Sequence, residues 1–395
     1  MARKLAQVSV WPRRESGPKL ARFESLCTME SLSHMPAKTN PRSHDMPGIA
    51  EVARIAGVSQ ATASRALTGR GYVSAETKAR VEEVARSLGY VASSSASSLV
   101  TGRTQSIGVV MPALGRWFFA EALEGIQGAL LEHRFDLSLY DARPGSPARA
   151  AIFNDFLARK RFDGIIAAGI EPDHRELEQL LAFGKPVVSI GGYDGGTSAV
   201  SIHDEEVARR ATEHLLELGH QRIVFLGGDP DGRKTSFGDQ QRVRGYLEAM
   251  AAASLAAEAR HVPSPVSMPG GYGAAADMPG DSRTRPTALV AVCDEVAVGA
   301  IIAARRIGIQ VPADLSVVGI DDHEYAEMFA LTTLKQDPRE QGKAAVAMLM
   351  RQIANPDTPP QRLYEPTKLI MRSSTAPVDP EHSAVAIGVA PRPSN

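Results

Sequence analysis

Between Ser59 and Arg65 the chain carries hydroxyls at Ser59, Thr62 and Ser64, an amide at Gln60, a methyl at Ala61 and a guanidinium at Arg65. These groups can hydrogen-bond or touch the edges of base pairs, provided one face of a helix presents them together. Catalytic chemistry is harder to assemble. There is no Gly-x-Ser-x-Gly, no Walker glycine loop, no Gly-x-Gly-x-x-Gly after a strand and no histidine pair at metal-ligand spacing. Cys293 follows an apolar run and reads as a small hydrophobe rather than a nucleophile. No enzyme, metal site or cofactor is expected.

The elements that would position the first group are legible. Ile49, Val52, Ala53 and Ala56 recur at i, i+3, i+4 and i+7, which predicts a helix ended by Gly57 in the left-handed conformation. Ser59 is placed to cap a second helix with Ala63, Ala66 and Leu67 inward and Gln60, Ala61, Ser64 and Arg65 outward. Its amino-terminal side chains would then face a DNA groove. A third helix should run from a cap at Ser74 through Val81, Val84, Ala85 and Leu88 to Gly89. Two-fold pairing of such headpieces on paired half-sites predicts a homodimer on a near-palindromic operator.

The ordered phrases Val52-Ala-x-x-Ala-Gly-Val-Ser59, Thr62-x-Ser-Arg65, Gly71-Tyr-Val-Ser74 and Leu88-Gly-Tyr90 resemble the headpiece of the lactose-repressor/galactose-repressor family. The resemblance implies a transcriptional regulator, a repressor in the first instance. Its DNA contacts would come from Ser59, Gln60, Ala61, Thr62, Ser64, Arg65 and Tyr72. The segment Ala92-Ser-Ser-Ser-Ala-Ser-Ser-Leu-Val-Thr-Gly102 reads by composition as a serine-rich tether. By resemblance it is a hinge that orders on DNA, with Leu99 as a minor-groove wedge. Serines and no positive charge between Arg86 and Arg103 predict a weak hinge, unstructured off DNA.

Beyond Ser106 short apolar runs alternate with helical stretches: 107–111, 137–140, 164–168, 186–190, 222–226, 288–292 and 316–320. Continuous apolar runs of this length suit parallel strands buried on both faces, so a doubly wound α/β body is expected. The phrases Leu218-Gly-His-Gln-Arg-Ile-Val-Phe-Leu-Gly-Gly228, Arg242-x-x-Gly-Tyr246, Val311-Pro-Ala-Asp-Leu-Ser-Val-Val-Gly-Ile-Asp-Asp322 and Leu331-Thr-Thr333 are similar to the effector-binding core of the same family. That core has the fold of periplasmic sugar-binding proteins. The implied lobes are about 105–204 with 338–365, and about 205–337 with 366–378.

In such folds ligands bind beyond the carboxyl ends of strands. The resemblance assigns effector-contacting roles to Trp117, Phe118, His203, Arg242, Cys293 and Asp321. Phe119 is expected in the core, and Asp322 could instead cap the segment after it. Two departures stand out: Cys293 replaces a frequent asparagine, and Gly191-Gly-Tyr193 replaces a common Asp-Arg pair. Both weaken a standard sugar-hydroxyl network, so a sugar effector is supported by the family alone.

The 395 residues therefore divide into a disordered basic arm or misassigned start at 1–47 (Met35 or Met46 being later candidates), a helix-turn-helix domain at 48–92 and a hinge at 93–104. A two-lobed effector-binding and dimerisation domain follows at 105–378, then a disordered tail at 379–395. Net charge is −1, yet residues 1–104 hold 15 Lys+Arg against 8 Asp+Glu and the remainder 29 against 37. A basic front on an acidic body fits a chain whose first part meets phosphate. Two cysteines cannot make a disulfide framework, no apolar run spans a membrane and no secretory signal is apparent. A cytoplasmic location is expected. The competing reading, a solute-binding protein or sensor without a DNA role, explains the body but neither the headpiece nor the absent signal peptide.

Overall fold

The computed structural model describes residues 48–69, 71–90, 103–159, 161–192, 196–228, 236–279, 281 and 283–378. The expectations for residues 1–47, for Leu99 and most of the hinge, for Tyr193 and for the tail from 379 lie outside them. The chain forms two compact units that part between Thr104 and Gln105.

The first unit is a three-helix headpiece, α1 (Ile49–Ala56), α2 (Gln60–Thr68) and α3 (Ala75–Ser87). Gly57 ends α1 at φ 68°, a conformation that a side chain would strain. Ser59 and Ser74 cap the next two helices, each hydroxyl accepting from the backbone N–H three residues on, at Thr62 and Thr77. Val52, Ala53, Ala56, Ala63, Ala66, Val81 and Ala85 form its core. Alanine at five of these seven positions lets the short helices approach closely.

The second unit contains two six-stranded sheets flanked by helices. In chain order the first lobe takes β1 (Ser106–Met111), α4 (Trp117–Glu132), β2 (Asp136–Asp141), α5 (Pro147–Ala151), β3 (Gly164–Ala168), α6 (His174–Ala182), β4 (Val187–Ile190) and β5 (Ser198–Ser201). The second lobe takes α7 (Asp204–Glu217), β6 (Ile223–Leu226), α8 (Phe237–Ala252), β7 (Arg260–Val262), α9 (Met268–Ala276), β8 (Ala288–Ala291), α10 (Asp294–Arg306), β9 (Ser316–Asp321) and β10 (Thr332–Lys335). The chain then returns to the first lobe with α11 (Pro338–Ala354) and β11 (Arg362–Tyr364), and crosses again to end the second with β12 (Lys368–Ile370).

The sheet orders are β11-β5-β4-β3-β1-β2 and β12-β10-β9-β8-β6-β7. All pairings are parallel except the β10–β12 edge. The chain crosses between the two lobes three times, after β5, after β10 and after β11. The strands β1, β3, β4, β6, β8 and β9 are nearly continuous runs of buried residues, as helices on both faces require. Among the described residues no helix is long and apolar enough to cross a membrane.

The phrase Arg242-x-x-Gly-Tyr246 acquires a physical reading here. All three residues lie on α8: Arg242 points into the space between the lobes, and the Tyr246 hydroxyl donates to the Ile223 carbonyl and accepts from the Arg260 N–H. Gly245 packs on α7 so closely that an added Cβ would stand 1.9 Å from the Glu205 carbonyl oxygen. Gly245→Ala should therefore push α8 off α7 and lower stability by about 1–3 kcal/mol. Chemical denaturation of the whole chain measures it, and unchanged stability would show that the crossing yields without strain.

Candidate functional site

On the headpiece, Ser59, Gln60, Ala61, Ser64 and Arg65 are exposed and Thr62 is half-buried. Two of the hydroxyls serve the helix start, since Ser59 Oγ and Thr62 Oγ1 lie 2.9 Å apart. That leaves Gln60, Ser64 and Arg65 as the polar groups projecting from α2. Tyr72, in the turn before α3, is 95% exposed, an unusual position for an aromatic ring without a partner surface. Arg65 runs beside the same turn, its Cδ 3.3 Å from where a Cβ on Gly71 would be, and Gly71 itself has φ 79°.

In the second unit a cavity of about 990 Å³ opens between the two sheets, beyond the carboxyl ends of β1, β3, β4, β8 and β9. Of the expected residues, Phe118, Arg242, Cys293 and Asp321 line it. Trp117 and His203 are not among its lining residues. The Trp117 ring lies 5.1 Å from that of His323, bridging the lobes, because the first turn of α4 can send only part of its surface inward. His203 stacks on Tyr364 at 3.8 Å and faces a separate cavity of about 390 Å³ beside the chain crossings. Phe119 is buried in the first lobe's core.

Arg242 is held at two points in the cavity wall. Its Nε donates to Asp204 Oδ1 at 2.7 Å and its Nη1 to the Val292 carbonyl at 2.6 Å. Burial works against its charge, but the carboxylates of Asp204, Asp321 and Asp239 outweigh this and raise its pKa further. Asp204 opens α7 at the first crossing, so one ion pair fixes α8 to the segment through which the lobes connect.

Asp321 ends β9 with φ 136°, and Asp322 follows at φ 60°. Two successive non-glycine residues in this region are strained, and a surrounding frame must hold them. Gln336 Nε2 donates to Asp321 Oδ1 at 2.6 Å, from the second crossing. Asp322 does not cap the segment after it. Its carboxylate accepts from Arg372 at 2.6 Å and faces Lys335 at 3.5 Å, because the reversed backbone turns it toward the edge of the sheet.

Behind this turn, fully buried Asp294 accepts from the Thr333 hydroxyl at 2.7 Å and from the His323 N–H at 2.9 Å. Burial raises the Asp294 and Asp321 carboxyls above the ordinary range. For Asp294 the negative charge of Asp321 adds to the rise, whereas for Asp321 the Arg242 guanidinium works against it. The Leu331-Thr-Thr333 phrase thus supports the site from outside the cavity.

Cys293 is buried against Arg116, whose Nη2 lies 3.8 Å from the sulfur. Burial pushes the thiol up to about 12, so it stays protonated and offers only a weak hydrogen bond. Several lining residues escaped the sequence reading: Arg116, Arg149, Glu176, Asp239, Gln336 and Gln341. Arg149 forms a bidentate pair with Glu176, its Nε and Nη2 donating at 2.7 and 2.6 Å. A link between the lobes is the Arg116 Nε donation to Glu295 at 3.1 Å, and another is the Phe237 N–H donation to Glu171 Oε1 at 2.7 Å. Among the described residues no cluster of three or more His, Cys, Asp or Glu is placed to hold a metal ion.

The arrangement can grip a polar molecule between two bodies joined by three chain crossings. Among the described residues that line the cavity, none forms a hydrogen-bonded pair of nucleophile and histidine base. Residues 48–93 match the family described as bacterial regulatory proteins, lacI family, and residues 212–375 match a periplasmic binding protein-like domain. The HTH-type transcriptional repressor PurR of Edwardsiella ictaluri (strain 93-146) is 33% identical over 341 residues, covering 84% of this chain and 97% of its own. Among solved structures, the lac repressor dimer bound to operator and the anti-inducer ONPF superposes with a TM-score of 0.74 at 25% identity, over 84% of this chain and 99% of that one. A LacI family transcriptional regulator from Enterococcus faecium with bound ribose gives a TM-score of 0.62 at 25% identity, over 69% and 100%.

Proposed function

The chain belongs to the lacI family of bacterial regulatory proteins, and from that premise we propose that it represses transcription from a near-palindromic operator, as a homodimer, under the control of a small molecule held between its lobes. It is a DNA-binding regulator of transcription and not an enzyme. The observation that carries the effector part is the anchored Arg242, whose buried pair with Asp204 ties the cavity wall to a chain crossing.

A ligand that favours one lobe orientation shifts the balance by its differential affinity for the two arrangements. The contacts that such a shift would remake are the Arg116–Glu295 pair, the Phe237–Glu171 hydrogen bond and the Trp117–His323 ring contact. In this proposal Gln60, Ala61, Ser64 and Arg65 read base edges, Ser59 and Thr62 meet phosphate, and Tyr72 packs on the backbone. Phe118, Arg242, Cys293 and Asp321 contact the effector, Trp117 contributes through the lobe contact, and His203 lies on the crossing. The effector class includes sugars, as with the ribose-bound relative. A regulator of this kind works where the chromosome lies, so the proposal includes a cytoplasmic location.

The test of the proposal is selection of binding sites from random DNA with the full chain, followed by footprinting. A two-fold symmetric site should emerge. The hinge adds a second expectation: Leu99→Ala should weaken operator binding roughly tenfold and reduce operator bending, since a wedge between base steps helps hold a bent site. Circular-permutation bending assays decide this, and a straight operator in the wild-type complex would leave 93–104 as a tether only.

A further inference from the structure

The polar groups of the large cavity are unevenly committed. Four guanidiniums line it, those of Arg116, Arg143, Arg149 and Arg242. Each already has a carboxylate partner, in Glu295, Asp141, Glu176 and Asp204 respectively. Beyond Glu176 and Asp204, four more carboxylates line the same space: Glu171, Asp173, Asp239 and Asp321.

Gln341, on the first lobe's α11, is 0% exposed and lines the cavity. Its amide orientation follows from a chain of hydrogen bonds. Asp321 can only accept when ionised, so Gln336 must turn Nε2 to it, which leaves Gln336 Oε1 to accept from Gln341 Nε2 at 2.9 Å. Gln341 Oε1 is therefore left over, buried and without a hydrogen-bond partner among the described residues. Native proteins rarely tolerate such an acceptor unless something else satisfies it.

We propose that the cavity is built for a ligand that donates hydrogen bonds and carries no negative charge, with Gln341 the acceptor that selects it from the first lobe. The inference rests on the effector reading above and specifies the chemistry of the effector. One hydroxyl or amino group of such a ligand satisfies Gln341 Oε1 and a second can donate to Asp321, so the ligand joins α11 of one lobe to β9 of the other. A phosphate or carboxylate brings negative charge to a space lined by six carboxylates, and each lining guanidinium already shares its charge with a carboxylate partner.

The experiment is titration calorimetry of the full chain with matched probes. Glucose, galactose, mannose and ribose are each compared with their 2-amino derivative and their terminal phosphate, and the hexoses also with their uronates. A neutral or amino member should bind, and should bind at least about tenfold more tightly than its anionic counterpart. Gln341→Leu should lower that affinity about tenfold while the melting temperature stays near that of wild type, because the variant exchanges the orphaned Gln341 Oε1 for Gln336 Oε1, which loses its donor. Gln341→Met serves the same purpose if the leucine variant does not fold.

Tighter binding of an anionic member, no binding by any neutral or amino member, or undiminished binding by both Gln341 variants would overturn the inference. Operator binding by the same wild-type sample without ligand is measured in parallel. Its absence would count against the regulator reading, whereas operator binding together with an anion preference would count against the inference alone.

Discussion

Arg242→Ala is expected to abolish the effector response while operator binding persists. The guanidinium joins Asp204, the Val292 carbonyl and the field of Asp239 and Asp321, and its side chain and that of Asp204 are only 11% and 12% exposed. Truncation leaves Asp204 as an unpaired carboxylate in the cavity wall, which costs about 3–5 kcal/mol where a buried pair is broken. The headpiece folds around its own core, so that loss should not reach α1–α3. The variant should behave as a locked regulator, its operator affinity fixed by whichever lobe orientation it retains. Operator titrations of wild type, Arg242→Ala and Asp321→Ala, with and without a ligand that moves the wild type, read this directly. A normal ligand-induced change in both variants would place the effector elsewhere. Arg242→Lys, which keeps the charge but not the fork to Asp204 and Val292, should recover stability better than it recovers the response.

Arg65→Ala should cost roughly 1–3 kcal/mol of specific operator affinity and relax preference at one base position of each half-site. Arg65 is exposed near the end of α2 and has no ion-pair partner among the described residues, so removing it costs the headpiece little. Titrations at fixed salt against the selected site and a scrambled duplex separate the two outcomes. Equal loss on both would assign Arg65 to phosphate, and no loss on either would remove it from the interface.

The parts of the molecule legible in the sequence were those in which one local rule decides. Gly57, Ser59 and Ser74 punctuate helices through backbone geometry alone, and the buried strands β1, β3, β6, β8 and β9 announce themselves as unbroken apolar runs. The strands β5, β7, β10, β11 and β12 were not seen. They are three or four residues long, carry serine, threonine, arginine or lysine, and three of them lie at sheet edges, where polar residues are tolerated.

The site was half legible for a similar reason. Arg242 and Asp321 sit in phrases whose surroundings are stiff, with Gly245 and Tyr246 on one side and the strained β9 turn on the other. The partners that orient them come from crossings distant in sequence, Asp204 and Gln336, and only the folded topology brings them in. Trp117 and His203 show the converse: a position after a strand fixes where a side chain starts, and the direction it takes depends on neighbours such as His323 and Tyr364.

The central claim is that one chain joins operator recognition to a ligand-gated cleft. The most direct measurement is a fluorescence titration of the full chain on the DNA site obtained by selection, at one salt concentration, with and without the tightest-binding probe found by calorimetry. The account predicts binding to a two-fold symmetric site at least about a thousandfold tighter than to scrambled DNA, and a shift of that affinity by the probe which Arg242→Ala removes. Equal affinity for selected and scrambled DNA, or a specific affinity that no cleft-bound probe changes, would contradict it.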